Sequence, residues 1–186
     1  MLQNLLMQGP ALLGNGVGLT EAANLSYGEA TGMAQYAWLM VAVPFCSALL
    51  GLLLGRSADK WGHWIGLLAP WVSFGVGVSI LVEMFSRAPE ARAQELVVYS
   101  SWMQVDFGML LDPLSISFVM LVTFVGGLIH VYSVAYMEHD TDRRRFFAYL
   151  NLFVAAMLTL VLGNSYLVLF VGWEGVGLAS YLLIGF

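Results

Sequence analysis

Five long hydrophobic segments run through the chain, separated by shorter polar stretches. Their apolar residues form continuous runs without the strict alternation of a membrane β-strand, which favours helices over a barrel. The third segment begins sharply at Asp112 and Pro113, because Asp caps free N–H groups and Pro needs no partner in the first turn. The pattern predicts an all-α membrane protein with about five transmembrane helices, at residues 35–55, 64–86, 113–137, 146–162 and 166–186.

The polar stretches divide the chain into three parts. Residues 1–34 are mixed, rich in Gly and free of Lys and Arg, which predicts an N-terminal extension outside the helix bundle. Residues 35–163 hold spans one to four with a long outer loop at 87–111, and residues 164–186 hold span five. Within the long loop, residues 95–107 are rich in β-branched and aromatic side chains, so a short hairpin or surface strand is expected there.

Composition supports the membrane assignment and excludes several functions. Hydrophobic residues make up 60% of the chain and charged residues 10%, whereas a soluble domain carries roughly 25% charged residues. The formal charge of −5 argues against nucleic-acid binding, which needs a basic surface. Cys46 is the single cysteine, and there is no CxxC or Gly-rich nucleotide loop. No catalytic residue, metal site or redox cofactor is therefore predicted in this chain.

The Lys and Arg residues of the short loops predict an orientation. The loops after spans one and three carry five of them, whereas the opposite side carries two, Arg87 and Arg92. We expect the side with five charges to be cytoplasmic, which puts the N-terminus on the outer, periplasmic side and makes span five run inward. The five are Arg56, Lys60, Arg143, Arg144 and Arg145.

Glu174 is the acidic residue inside span five. It lies eight residues past Tyr166, about 12 Å into the span and close to the midplane of a core about 30 Å thick. An acid at this depth is by default a functional hypothesis, although it can also be a structural group bound to a neighbouring helix. Gly175, Gly177 and Tyr181 are expected to pack around it, in a helix slender enough to be buried in a bundle.

His130 is the second candidate for proton transfer. It shares one face of span three with Thr123 and Ser133. About 26 Å along its span, it lies nearer the cytoplasmic face than Glu174, so the two side chains are not expected to touch. A histidine in this place serves either as a proton relay or as a hydrogen-bonding group between helices.

Four segments together resemble one family. The segment WEGVGLASYLLIGF at 173–186 resembles the signature of the L-subunit family of proton-pumping NADH–quinone oxidoreductase, respiratory complex I. DFGMLLDPLS at 106–115, IHVYSVAYM at 129–137 and RRFFAYLNLF at 144–153 are similar to the same family. Subunits of Mrp-type sodium/proton antiporters share much of this pattern, and they are the alternative.

The resemblance implies the N-terminal part of an antiporter-like helix bundle, multi-pass in a bacterial inner membrane beside other membrane subunits of complex I. NADH, FMN, iron–sulfur clusters and quinone would then be bound elsewhere in the complex and not by this chain. Glu174 matches the family's glutamate, which pairs with a lysine on a later helix, and His130 matches a family histidine. Because the later helices are absent from the sequence, the chain is expected to be a fragment.

Three functions remain open at this level. The first is a subunit that moves protons while electrons are transferred elsewhere in the complex. The second is a cation/proton antiporter subunit without a redox partner. The third is a membrane scaffold in which Glu174 only joins helices. A quinone site is a weaker fourth, since its only support is abundant aromatic residues with one histidine in a span.

Overall fold

The computed structural model describes residues 27–55, 61–102 and 105–186. Within them, five helices are long and apolar enough to cross a membrane, which confirms the predicted fold class. They begin and end within three residues of the predicted spans. The helices are α1 (Trp38–Leu53, extended at its start by the 3-10 turn Gly32–Tyr36), α2 (Gly62–Phe85), α3 (Pro113–Tyr136), α4 (Arg143–Leu162) and α5 (Tyr166–Ile184).

The fourth helix is the centre of the bundle. α4 contacts α1, α2, α3 and α5, and it buries nine of its residues. Phe147, Asn151, Ala155 and Leu158 recur every three or four positions, so they form one buried stripe. On another side of α4, Ala148 lies against Gly51 of α1, where a side chain in place of Gly51 would begin 3.0 Å from the Ala148 Cβ.

The third helix starts where the sequence predicts. Ser115 N donates to Asp112 Oδ1 (2.9 Å), and Asp112 N donates to Ser115 Oγ (3.0 Å). This reciprocal capping box satisfies two of the N–H groups that a helix start leaves without a partner. Pro113 occupies the first helical position, where the missing N–H has no consequence.

A small sheet covers one end of the bundle. Strands β2 (Gln94–Trp102) and β3 (Val105–Leu111) pair antiparallel, which confirms the expected hairpin, and β1 (Gly28–Glu29) pairs parallel to β2. Asn164, in the turn between α4 and α5, holds the hairpin. Its Oδ1 accepts from Gly108 N (3.0 Å) and its Nδ2 donates to Glu95 Oε1 (2.7 Å).

The predicted N-terminal extension falls mostly on residues 1–26, outside the described range. Residues 27–34, its last part, include strand β1 and lie against the end of α2. Arg87 Nη2 donates to Thr31 O (2.9 Å) and pairs with Glu83 Oε1 (2.6 Å), while Met33 N donates to Glu83 Oε2 (2.7 Å). Gly32 has a φ of 64°, a conformation that a side chain would strain.

The contacts also show which connections share a side of the bundle. The hairpin and the α4–α5 turn meet at one end through the Asn164 hydrogen bonds. The end of α2 lies there too, because Arg87 beside it and Gln94 of β2 both donate to Thr31. At the other end, Arg144 Nη1 at the start of α4 donates to Gly51 O near the end of α1. A cation in this position also interacts favourably with the carbonyl end of a helix.

Candidate functional site

Helix α5 packs on α4 through small residues. Val168, Gly172 and Ala179 are its buried positions, and they recur on one face. A Cβ added at Gly172 would lie 2.5 Å from Leu160 N, and one at Gly175 would lie 3.0 Å from the Ala156 Cβ. The two backbones therefore approach so closely that Gly172 leaves no room for a side chain.

Glu174 lies on the opposite face of α5, where its side chain is exposed. We call this surface the Glu174 face. No described residue forms a hydrogen bond or ion pair with the carboxylate. Around it, a Cβ at Gly177 would meet nothing within 4 Å, and Tyr181 is 75% exposed. The Glu174 face comprises Glu174, Gly177, Leu178 and Tyr181.

The predicted packing residues thus fall on two sides of α5. Gly175 lies at the contact with α4, whereas Gly177 and Tyr181 lie on the Glu174 face. The helix is also less buried than the slender pattern of small residues suggests. The reason is that, among the described residues, its main neighbours are α4 and strand β3. The role of Glu174 itself stays a prediction.

His130 is in the interior, with an exposed fraction of 1%. Its Nδ1 lies 2.7 Å from Gly126 O, one turn earlier in α3. Its ring lies edge-on to the Phe147 ring of α4, with 5.8 Å between the centroids. Thr123 and Ser133 are buried on the same face of α3, as the spacing predicts.

Two further residues belong to this interior site, and sequence reasoning did not select them. Asn151 of α4 is fully buried, and its Nδ2 donates to Gly66 O of α2 (2.9 Å) and to Phe147 O (3.0 Å). His63, in the first turn of α2, is 7% exposed and lies 6.3 Å from the Phe147 ring centroid. An amide inside an apolar span was the signal for Asn151, while His63 lies just before the predicted start of span two.

Polar atoms without partners gather at this site. Among the described residues, none hydrogen-bonds to His130 Nε2, His63 Nδ1 or Asn151 Oδ1, although all three atoms are buried. Such orphaned atoms are uncommon in folded proteins and require an explanation. We call this group the inner cluster, defined as His63, His130, Phe147 and Asn151.

The inner cluster and Glu174 are separate places. Gly175, next to Glu174, packs on Ala156, which is five residues past Asn151 and so about 7.5 Å farther along α4. The body of α4 stands between the cluster on its α2–α3 side and α5 on another side. The structure therefore does not bring His130 and Glu174 together, in agreement with the prediction from their depths.

Comparison with known proteins identifies the family. A family profile described as NADH-Ubiquinone oxidoreductase (complex I), chain 5 N-terminus, matches residues 98–147. NADH-quinone oxidoreductase subunit L of Mycobacterium tuberculosis is 53% identical over 157 residues, which are 82% of this chain and 25% of that protein. The chain belongs to this family of subunit L and chain 5 proteins.

Other members and neighbours of the subunit L family differ in the complex they are named for. F(420)H(2) dehydrogenase subunit L of Methanosarcina mazei is 39% identical over 156 residues, covering 84% of this chain and 23% of that protein. A chain in the solved Mrp complex of Dietzia sp. aligns with a TM-score of 0.61 at 30% identity, covering 80% of this chain and 16% of that one.

The chain spans about a quarter of the length of the curated relatives that it matches. Its five spanning helices and its bacterial subunit L relatives make it a multi-pass protein of the inner membrane. The residues matched by the family profile include His130 and Phe147 but end before Asn151 and Glu174.

Proposed function

We propose that this chain is part of a proton-translocating membrane subunit of NADH–quinone oxidoreductase, in which Glu174 carries an exchangeable proton. One observation carries the proposal. An acid lies near the middle of a spanning helix, on a face that no described residue covers, in a chain 53% identical to a subunit L. Other membrane subunits of the complex are its partners.

The physical argument starts from the exposed carboxylate. A charged group facing lipid at mid-membrane costs at least about 2.5–3.5 kcal/mol. The Glu174 face therefore needs a polar or charged neighbour in the assembled complex. A basic side chain brought close stabilises the carboxylate and releases its proton, whereas its withdrawal favours the protonated acid. Motion of such a partner would make Glu174 take up and release a proton.

Redox chemistry is assigned to other subunits. NADH, FMN, iron–sulfur clusters and quinone are bound elsewhere in the complex, and this chain binds none of them. The orientation follows from the charged loops: the ends of α1 and α3 face the cytoplasm, and the sheet and the α4–α5 turn face the periplasm.

The test is Glu174→Gln in the assembled complex, reconstituted into proteoliposomes. The variant keeps the shape and removes the titratable group, so proton pumping should fall by roughly 100-fold, the lower range for loss of a proton-transfer group. Assembly should be normal. Glu138→Gln is the control, because Glu138 is exposed in the loop between α3 and α4. Undiminished pumping in Glu174→Gln would instead support the scaffold role.

An antiporter subunit is the second candidate, favoured by the structural match to the Mrp complex at 30% identity. The 53% identity to a subunit L favours the first. Purification of the native complex separates them. Flavin and iron–sulfur subunits should accompany this chain if it serves NADH–quinone oxidoreductase, and their absence together with sodium-dependent proton exchange would assign it to an antiporter.

A further inference from the structure

We propose that the inner cluster is a buried water site, at which His130 takes up and returns a proton on the predicted cytoplasmic side of the membrane. This deepens the proposed function. The role of the proton in transport rests on that function, whereas the water site does not. Three of its residues, which all contact Phe147, each carry a buried polar atom that lacks a partner among the described residues.

The orientation of Asn151 is fixed by its partners. Its Nδ2 faces two carbonyl oxygens, Gly66 O at 2.9 Å and Phe147 O at 3.0 Å. Carbonyl oxygens only accept, so the amide nitrogen must be on that side and Oδ1 must be the atom left over. Asn151 therefore presents a hydrogen-bond acceptor to the cluster.

The tautomer of His130 follows in the same way. Gly126 O lies 2.7 Å from Nδ1 and can only accept, so Nδ1 carries the hydrogen. Neutral His130 then has its lone pair on Nε2, the atom without a partner. His130 and Asn151 thus each offer an acceptor, and a water molecule has two hydrogens to donate.

His63 and Arg143 complete the site at the membrane surface. His63 lies in the first turn of α2, and its Nδ1 is buried without a partner among the described residues. Arg143 begins α4 one turn before Phe147 and on the same face, and its Nε is a buried donor that also lacks a partner among the described residues. A water bridging buried groups typically needs two to four polar partners, and these side chains supply both donors and acceptors.

Position and chemistry define what the site can do. His63 is at the start of α2, and His130 is six residues from the end of α3, so the cluster lies within about 10 Å of the cytoplasmic helix ends. A hydronium ion in the cluster can transfer its proton to His130 Nε2, leaving water and an imidazolium. The reverse step returns it.

The proton enters and leaves His130 through the same nitrogen. The Nδ1 hydrogen stays on Gly126 O, a helix carbonyl that has no proton to give. His130 therefore binds and releases the proton only on the side that faces the cluster. It does not conduct protons across the bundle, and α4 separates it from Glu174. This predicts that water in the cluster exchanges with the cytoplasmic side alone.

Hydroxyl-radical labelling of the assembled complex tests the water directly. Radicals generated from bound water modify adjacent side chains, so Phe147 should be labelled although it is only 1% exposed. Leu158, fully buried in the apolar part of α4, is the control, with both rates normalised to those of the unfolded chain. We expect severalfold faster labelling at Phe147. Equal protection of the two residues would overturn the proposal and leave the Glu174 proposal intact.

Proton pumping by variants tests whether His130 binds a transported proton. His130→Gln should lower pumping severalfold while quinone reduction continues, and Asn151→Leu should abolish the Phe147 label. Thr123→Val on the same helix is the matched control, because the Thr123 hydroxyl donates within its own helix to Val119 O (2.6 Å). Normal pumping in His130→Gln with a labelled Phe147 would show a water site that holds no transported proton. If Asn151→Leu fails to assemble, labelling of the wild-type protein still decides.

Discussion

Helices α4 and α5 each carry one strongly polar side chain inside an apolar run, and the fold places the two in opposite surroundings. Asn151 of α4 is fully buried and donates to two carbonyl groups. Glu174 of α5 is exposed, and no described residue pairs with it. The amide thus joins α2 and α4, whereas the acid lies on a surface of α5 that no described residue covers.

The contrast shows what a polar residue in a span can mean. A neutral amide can satisfy its two donors with neighbouring carbonyls and so stabilise a bundle from within. A carboxylate in the same position requires a positive charge, a proton or water. Changes that move α5, remove the amide or loosen the α4–α5 turn each bear on this comparison.

The largest effect is expected at the boundary between the two helices. Gly172→Ala adds a methyl group 2.5 Å from Leu160 N, and this backbone atom cannot move aside, so α5 must shift away from α4. We expect the free energy of unfolding to fall by about 3 kcal/mol, at the upper end for overpacking. The measurement is the thermal unfolding midpoint of the purified complex in nanodiscs.

Gly75→Ala is the matched control for this change. A Cβ at Gly75 meets nothing within 4 Å, and alanine favours the helix by up to about 1 kcal/mol over glycine. The control should therefore match or exceed the wild-type midpoint. If Gly172→Ala does so as well, the close approach of α4 and α5 is absent from the assembled complex.

Loss of the buried amide should have the next largest effect. Asn151→Leu keeps the approximate volume but removes two hydrogen bonds and leaves Gly66 O without its donor. An unsatisfied buried group costs about 1–3 kcal/mol. We therefore expect the free energy of unfolding to fall by about 2 kcal/mol in the same thermal measurement. Thr159→Val in the same helix is the control, because the Thr159 hydroxyl donates only within α4, to Ala155 O (2.9 Å). Equal effects of the two would mean that Asn151 does not join the helices.

The sequence predicts where the helices begin and end better than it predicts which residues they contact. Long apolar runs and the Asp112–Pro113 start locate the five spans, and helical periodicity places Gly177 and Tyr181 on the side of Glu174. It does not show which side of α5 meets α4, because Gly172, Gly175 and Gly177 look alike in the sequence. Only the approach of Leu160 and Ala156 distinguishes them.

The inner cluster was beyond sequence reasoning for a similar reason. His63, His130 and Asn151 belong to three different helices, and each taken alone has an ordinary interpretation. Their meeting around Phe147 depends on how α2, α3 and α4 pack, which no local pattern encodes. The hairpin was predictable from its β-branched and aromatic residues, but its attachment to Asn164 was not, since the two lie far apart in the chain.

The smallest effect is expected at this attachment. Asn164→Ala removes the bonds to Gly108 N and Glu95 Oε1, so the hairpin and the start of α5 should loosen by about 1 kcal/mol, the typical net value of a hydrogen bond. Hydrogen exchange of the β3 amides should speed up about fivefold, since 1.4 kcal/mol is a factor of ten. Glu95→Gln retains an oxygen that can accept from Asn164 and should change exchange much less. If the two variants exchange alike, the hairpin does not hold α5, and the position of the Glu174 face is set by the packing of Gly172 on α4 alone.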